Sequence, residues 1–342
     1  MIGLFVRTMC DRIVRAVCRQ AHDRMRFALA CAATAALVLS AATDAAAQEK
    51  KQIVWGAPNV LSSYYWDVLG AIELGYMADE GLTIKVVNND NPVQNLQYLA
   101  TGAIDISSIT VELALSAIEK GADFKFLASE NDRLSFVMMA RPDIKSYADL
   151  RGKTLGVTQL QESTASLIRL LLEKHGVKRS EYEFIALGGT PNRFAALVRG
   201  AVSATMLSPP FDFKAEAEGM KRFGTAFEAF EGAGVVFTAQ TKWAENNADL
   251  VTRFLRAAAK AQRLFYDPNN KAKAVDILVK YTHQPAADIA KNYDAVYGPN
   301  QIMSHDLELT DKLLQPWLDL RGSSEKPARF IDLTYWKRAL DR

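Results

Sequence analysis

The sequence predicts an α/β protein of two lobes, each a mainly parallel sheet flanked by helices, and three observations carry that prediction. From Ile53 to Leu207 short apolar runs alternate with segments of helical periodicity, the pattern of parallel strands joined by crossover helices. Two apolar runs, Leu134 to Ala140 and Gly234 to Gln240, stand apart from that alternation and read as crossings between lobes. Beyond the second, the chain is almost wholly helical to Leu320, and these helices are expected to pack on the first lobe. At 342 residues with 49% of them apolar, the chain can fill more than one core.

The elements follow in order. Ile53 to Gly56 reads as a strand closed by Ala57-Pro58, Tyr64 to Met77 as a helix with Gly75 at its end, and Gly81 to Val87 as the next strand. Val93 to Thr101 is a helix stopped by Gly102, Ile104 to Ser108 a strand, Glu112 to Lys120 a helix stopped by Gly121, and Phe124 to Ala128 a strand. Leu134 to Ala140 is the first crossing. A fresh series then opens. Lys153 to Val157 is a strand, the segment around Leu167 to Leu172 a helix, Glu183 to Leu187 a strand, and Thr190-Pro191 opens a helix through Val198 with proline in the first turn. Val202 to Leu207 is a strand stopped by Ser208-Pro209-Pro210, after which the pattern frays from Phe223 to Glu231. Helices are predicted over 246–266, 271–281, 285–297 and 307–320.

The N-terminus reads differently. Met25-Arg26, an Ala- and Leu-rich run from Phe27 to Ala42, and Ala45-Ala46-Ala47 before Gln48 have the form of a secretory signal cleaved after Ala47. Met25 is an alternative start. Cys10, Cys18 and Cys31 all precede Gln48, so the expected mature chain has no thiol for a disulfide, a nucleophile or a metal. Its charge is nearly balanced, with 35 basic against 36 acidic residues, which argues against a nucleic-acid partner. The histidines lack partners at metal-ligand spacing, and no metal or cofactor is expected.

Leu150 to Gly176 is the stretch around which the rest is organised. It reads as strand, polar elbow, helix, and Gln161, Glu162, Ser163 and Thr164 fall where a parallel α/β unit presents free backbone N–H groups beyond a strand's carboxyl end. The elbow is either a ligand cradle or a helix cap supplied by Ser163, and the sequence leaves both open.

Three blocks carry a resemblance: Gly70 to Leu82 (GAIELGYMADEGL), Leu99 to Asp105 (LATGAID) and Tyr147 to Val157 (YADLRGKTLGV). In this order they resemble the periplasmic solute-binding proteins of nitrate, sulfonate, taurine and thiamine-pyrimidine ABC importers, over roughly Ile53 to Gln240. The resemblance implies the type II periplasmic-binding-protein fold. Its expected division is 48–139 with 232–342 as lobe 1, and 140–231 as lobe 2. It implies a monomeric, periplasmic protein that holds a small-molecule ligand in the interlobe cleft and delivers it to ABC permease transmembrane subunits with a cytoplasmic ATPase.

Carried onto this sequence, the pattern places the cleft at the strand-end loops. The first lobe supplies Ser63, Tyr64, Tyr65 and Trp66, then Ser107, Ser108 and Thr110, then Glu130 and Asn131. The second supplies Gln159, Gln161, Glu162, Ser163 and Thr164, then Gly189, Thr190 and Asn192, then Ser208, Pro209 and Phe211. Each also has a plainer reading: the aromatics as a helix face, the serines as strand ends, the Gly188-Gly189 pair as a turn. Arg133 and Arg193 are candidates to pair with a ligand carboxylate or sulfonate. The expected solute is small and organic, anionic or ring-bearing. The alternatives are a loaded receptor docking on a sensor, or an enzyme like the thiamine-pyrimidine synthases; the same fold family also includes sulfinate desulfinases, which use a cysteine that the mature chain lacks.

Overall fold

The computed structural model describes residues 51–341 except 59, 61, 90 and 300; the expected signal peptide and its cleavage site lie outside the described residues. Among the described residues, ten strands form two five-stranded sheets. The first sheet contains β1 (Lys51–Ala57), β2 (Leu82–Asn88), β3 (Ile106–Thr110), β4 (Phe124–Ser129) and, much later, β10 (Val235–Gln240); the second contains β5 (Val137–Ala140), β6 (Thr154–Val157), β7 (Glu183–Ala186), β8 (Ala204–Leu207) and β9 (Lys221–Thr225).

The helices are α1 (Trp66–Glu73), α2 (Tyr76–Asp79), α3 (Pro92–Thr101), α4 (Val111–Glu119), α5 (Ser163–Lys174), α6 (Thr190–Val198) and α7 (Phe211–Ala217). They continue as α8 (Thr241–Asn246), α9 (Ala248–Tyr266), α10 (Lys271–Thr282), α11 (Ala286–Tyr297), α12 (Asp311–Leu320) and α13 (Thr334–Ala339). Among the described residues, no helix is long and apolar enough to cross a membrane.

The two sheets repeat one plan. The first has the order β2-β1-β3-β10-β4 and the second β7-β6-β8-β5-β9. In each, one strand runs antiparallel to both neighbours: β10 against β3 and β4, and β5 against β8 and β9. Those are the strands reached by crossing from the other sheet. Each crossing therefore enters its new lobe one strand in from the edge, with a hydrogen-bonded neighbour on either side.

Helices α9, α10 and α13 close the first lobe. On α9, Leu250, Val251, Phe254, Leu255, Ala258, Ala261 and Phe265 are buried, spaced three and four residues apart, so one stripe of the helix faces inward. It lies against α1, α2 and α13. The approach to α1 is close: a Cβ on Gly70 would sit 2.4 Å from the Phe265 ring, so a side chain at 70 would push the helices apart.

Four expectations need correction. Leu134 to Ala140 is not one crossing strand: only Val137–Ala140 is in a ladder, within the second sheet, and the chain changes sheets between Ser129 and Val137. The amide of Ser135 is bonded to the Tyr64 hydroxyl at 2.9 Å rather than to a neighbouring strand. The fraying region after Met220 contains β9, an edge strand whose Lys221 and Arg222 are exposed, so it lacks the apolar alternation that marks a strand. The helix expected from Leu307 begins at Asp311, because Leu307 has a positive φ of 62° that no right-handed helix accepts. Ser63 to Tyr65 form a 3-10 turn before α1.

Candidate functional site

The carboxyl ends of β1, β3, β6, β7 and β8 all point toward one place, and a cavity of about 70 Å³ lies there between the two sheets. Tyr64, Tyr65 and Thr110 line it from the first lobe, and Glu162, Gly189, Thr190 and Ser208 from the second. Convergence of strand ends on a crevice is where open α/β sheets bind ligands. A larger depression of about 540 Å³ is lined by Arg133, Glu231, His305 and Lys312 among others.

The apolar half of the cavity is aromatic. Tyr64 meets Phe136 edge to face at 6.0 Å, and Tyr65 meets Trp55 in the same way at 6.1 Å. Burial pushes the Tyr64 hydroxyl up to about 12 and the Tyr65 hydroxyl well above its ordinary range, so both rings stay neutral. Trp55 is itself fixed by donation from its indole Nε1 to Ser108 Oγ at 2.8 Å.

The polar half is built around Arg193 and Glu162. Arg193, 1% exposed, donates from Nε to Met206 O at 3.1 Å and from Nη1 to Thr158 Oγ1 at 2.6 Å and Gly188 O at 2.7 Å; its Nη2 reaches Thr190 Oγ1 at 3.1 Å. Burial lowers its pKa to about 10, which leaves it charged at neutral pH. Gly188 holds the αL conformation, φ 78°, and this turns its carbonyl toward the guanidinium at a position where a β-carbon would be strained.

Glu162 is 3% exposed. Its Oε1 accepts from Thr110 Oγ1 at 3.3 Å, across the gap between lobes, while Oε2 has no hydrogen-bond partner. Burial raises its pKa to about 7; Arg193 opposes the rise and Glu112 adds to it. A carboxyl poised in this way carries a proton or not at small cost, and offers one unpaired oxygen to the cavity.

The remaining candidates are placed elsewhere. Trp66 is fully buried and stacked on Tyr297, with centroids 6.4 Å apart, so the core reading holds for it. Ser107 accepts from Asn95 Nδ2 at 2.7 Å, and Ser63 and Glu130 are fully buried outside the cavity lining. Burial and the neighbouring Asp67 carboxyl push Glu130 well above its ordinary range. The Asn131 side chain accepts from the backbone amides of Gly234 and Val235 at 2.9 and 2.8 Å, tying one crossing to the other.

In the elbow, the cap position belongs to Glu162 and Ser163 is the first residue of α5. The Ser163 hydroxyl lies against Glu112. Thr164 Oγ1 accepts from Thr158 N at 2.9 Å. Gln161 and Asn192 are exposed and Gln159 is half-buried, none of them lining the cavity. Phe211 packs against Phe194 at 5.7 Å, and Pro209, two residues before it, is buried.

Thr158, Leu134 and Phe136 line the cavity and were not among the expected site residues. Thr158 directly follows β6, the same strand-end position that singled out other loops. Leu134 and Phe136 were hidden by being read as strand.

This arrangement defines a class: a two-lobed binding protein with its cavity at the lobe junction. The chain belongs to the NMT1/THI5-like family, whose model matches residues 63–271. A formylaminopyrimidine-binding protein of Halalkalibacterium halodurans is 26% identical over 256 residues, covering 73% of this chain and 74% of that protein. Among solved structures, the ligand-binding component of an ABC-type import system from Staphylococcus aureus superposes with a TM-score of 0.73 at 15% identity, covering 84% of this chain and 99% of that one. The periplasmic aliphatic sulphonate binding protein of Escherichia coli gives 0.63 at 21%, covering 84% and 91%. The fold is therefore that of the periplasmic binding proteins.

Proposed function

We propose that this chain is the extracytoplasmic substrate-binding component of an ABC importer, and that its solute is a small, flat, nitrogen-bearing ring rather than a sulfonate. The import role is supported by the family and by the structural relatives, one of them the ligand-binding component of an ABC-type import system; those relatives are binding proteins, which favours capture over catalysis. The nature of the solute rests on one observation, the unpaired Oε2 of Glu162 beside an aromatic wall.

A protonated carboxyl presents a donor and an acceptor side by side, and the carboxylate presents acceptors alone. The protonated form matches the edge of an aminopyrimidine, where an amino N–H donor neighbours a ring-nitrogen acceptor, and the ionised form matches it when that ring nitrogen carries a proton. An anion would need donors. Arg193 spends most of its own on protein oxygens, and Glu162 would repel a sulfonate when ionised. The named ligand of the Halalkalibacterium relative is of the favoured class.

The cavity holds only about 70 Å³, against roughly 300 Å³ or more for ordinary ligand pockets. Solute entry therefore requires the lobes to part, as in hinged clamps. The test is a thermal-shift panel of the mature chain against 4-aminopyrimidines, alkanesulfonates, nitrate and aromatic acids. A ligand bound only by the folded state raises the melting temperature. A rise with aminopyrimidines alone supports the reading, whereas a rise confined to sulfonates or nitrate overturns it.

A further inference from the structure

The lobes meet at more than the cavity. Besides Thr110 to Glu162, Ser166 Oγ on α5 donates to Glu112 Oε1 on α4 at 2.8 Å, and Arg169 Nη2 in turn donates to Ser166 Oγ at 3.2 Å. Two hydroxyl-to-carboxyl bonds thus cross the gap, one in each direction: lobe 1 supplies the hydroxyl in the first and the carboxyl in the second. Both acids are buried at the contact, Glu112 at 5% exposure and Glu162 at 3%. We propose that closing the lobes takes up one proton, held by the Glu112 and Glu162 pair at this contact, so that the clamp closes more readily as the pH falls. The inference does not depend on which solute the cavity takes.

The surrounding charges fit. Glu162 faces Arg193, Glu112 and the Thr110 and Thr158 hydroxyls, with Tyr65 also within electrostatic reach. Glu112 faces Ser166, Arg321, Arg169 and Ser163. Tyr64 lies near Arg193 and stays neutral. Burial outweighs the three arginines at both acids: Glu112 is raised, and Glu162 reaches about 7. Parting the lobes breaks both cross-lobe bonds and returns the acids to water, where they ionise in the ordinary carboxylate range. The sign follows by linkage. Below that range both states are protonated and pH has no effect; between it and about 7 only the closed state keeps the proton, so closure weakens as pH rises; above it both states are ionised and the dependence flattens.

The expected chain from Gln48 has no cysteine, so spin labels can be placed through Lys120→Cys on lobe 1 and Lys178→Cys on lobe 2, both exposed. Distances between them, measured without solute from about pH 5 to about pH 8.5, report the closed-to-open ratio. That ratio is expected to fall by nearly tenfold per pH unit around pH 6 and to level off near pH 8. Glu162→Gln should flatten the response, and Glu112→Gln should move it to lower pH by removing a neighbouring negative charge. Ser166→Ala should lower the ratio at every pH without moving the midpoint. A parent ratio that stays constant across the range, whether high or low, overturns the proposal. So does a pH response that survives unchanged in both glutamine variants; if either variant fails to fold, the parent's response decides.

Discussion

Glu162 and Thr164 are two residues apart, yet they do different work. Thr164 ties the first turn of α5 to the amide of Thr158, a buried donor that Ala would leave unpaired. Thr164→Ala is expected to cost about 1–3 kcal/mol in urea denaturation, with solute affinity held within about twofold. Glu162→Ala should do the reverse for a solute that bonds its Oε2: an affinity loss of about ten- to a hundred-fold by calorimetric titration, the value of one bond to a charged group. Equal affinities in parent and Glu162→Ala would remove this residue from the site. The sequence made the elbow visible, because four polar residues in a row interrupt a strand-to-helix unit. It did not separate the roles within the elbow, since Ser163 and Glu162 differ by one step of helix phase, and only the backbone at Glu162, extended at φ −133°, decides which is the cap.

At the level of elements, the crossings are the mechanical parts. Asn131 accepts from the amides of Gly234 and Val235, so a side chain on the first crossing staples the start of the second. Asn131→Ala leaves the Val235 amide without that acceptor, while the Gly234 amide keeps its bond to the Asn131 carbonyl at 3.3 Å, and a loss of about 1–3 kcal/mol is expected. A denaturation midpoint unchanged by the substitution would show that the staple is dispensable. The existence of two crossings was legible from the two apolar runs without partner helices. Their limits were not: Leu134 and Phe136 are as apolar as a strand requires, but their burial comes from the cavity wall and not from a sheet. β9 escaped notice for the opposite reason, having a ladder partner in β5 but charged residues at its start. The repeated αβ units, by contrast, were readable through Gly102, Gly121 and Pro191, whose backbone preferences mark helix ends whatever packs around them.

Across the whole molecule, several buried carboxyls are held above their ordinary range: Asp67 near 8, Glu162 near 7 and Asp132 near 6, all by burial. The native state binds these protons more tightly than the unfolded chain, so their contribution is complete below the unfolded range and is lost as pH rises through the folded values. The acids shifted the other way, Glu119, Asp149, Glu181 and Glu216, stabilise above the unfolded range and lose that contribution only as pH falls toward their folded values. Stability should therefore decline from about pH 5 to about pH 8, by up to roughly 1.4 kcal/mol per pH unit for each acid titrating. Thermal melts in buffers of matched ionic strength check this, and a flat or rising profile would contradict it. Two lobes and their order along the chain could be read from the sequence because alternation and its interruption are properties of long segments. The cavity could be only half read, because a strand-end loop shows where a residue sits and not which way it faces.

The most direct test of the account is a crystal structure of the mature chain grown with a 4-aminopyrimidine. The ring is expected against Tyr64, Tyr65 and Phe136, with its amino group or ring nitrogen within about 3.2 Å of Glu162 Oε2. A ring bound elsewhere, in the depression beside Arg133 and Lys312, or a closed complex in which Glu162 Oε2 makes no contact with it, would contradict the account.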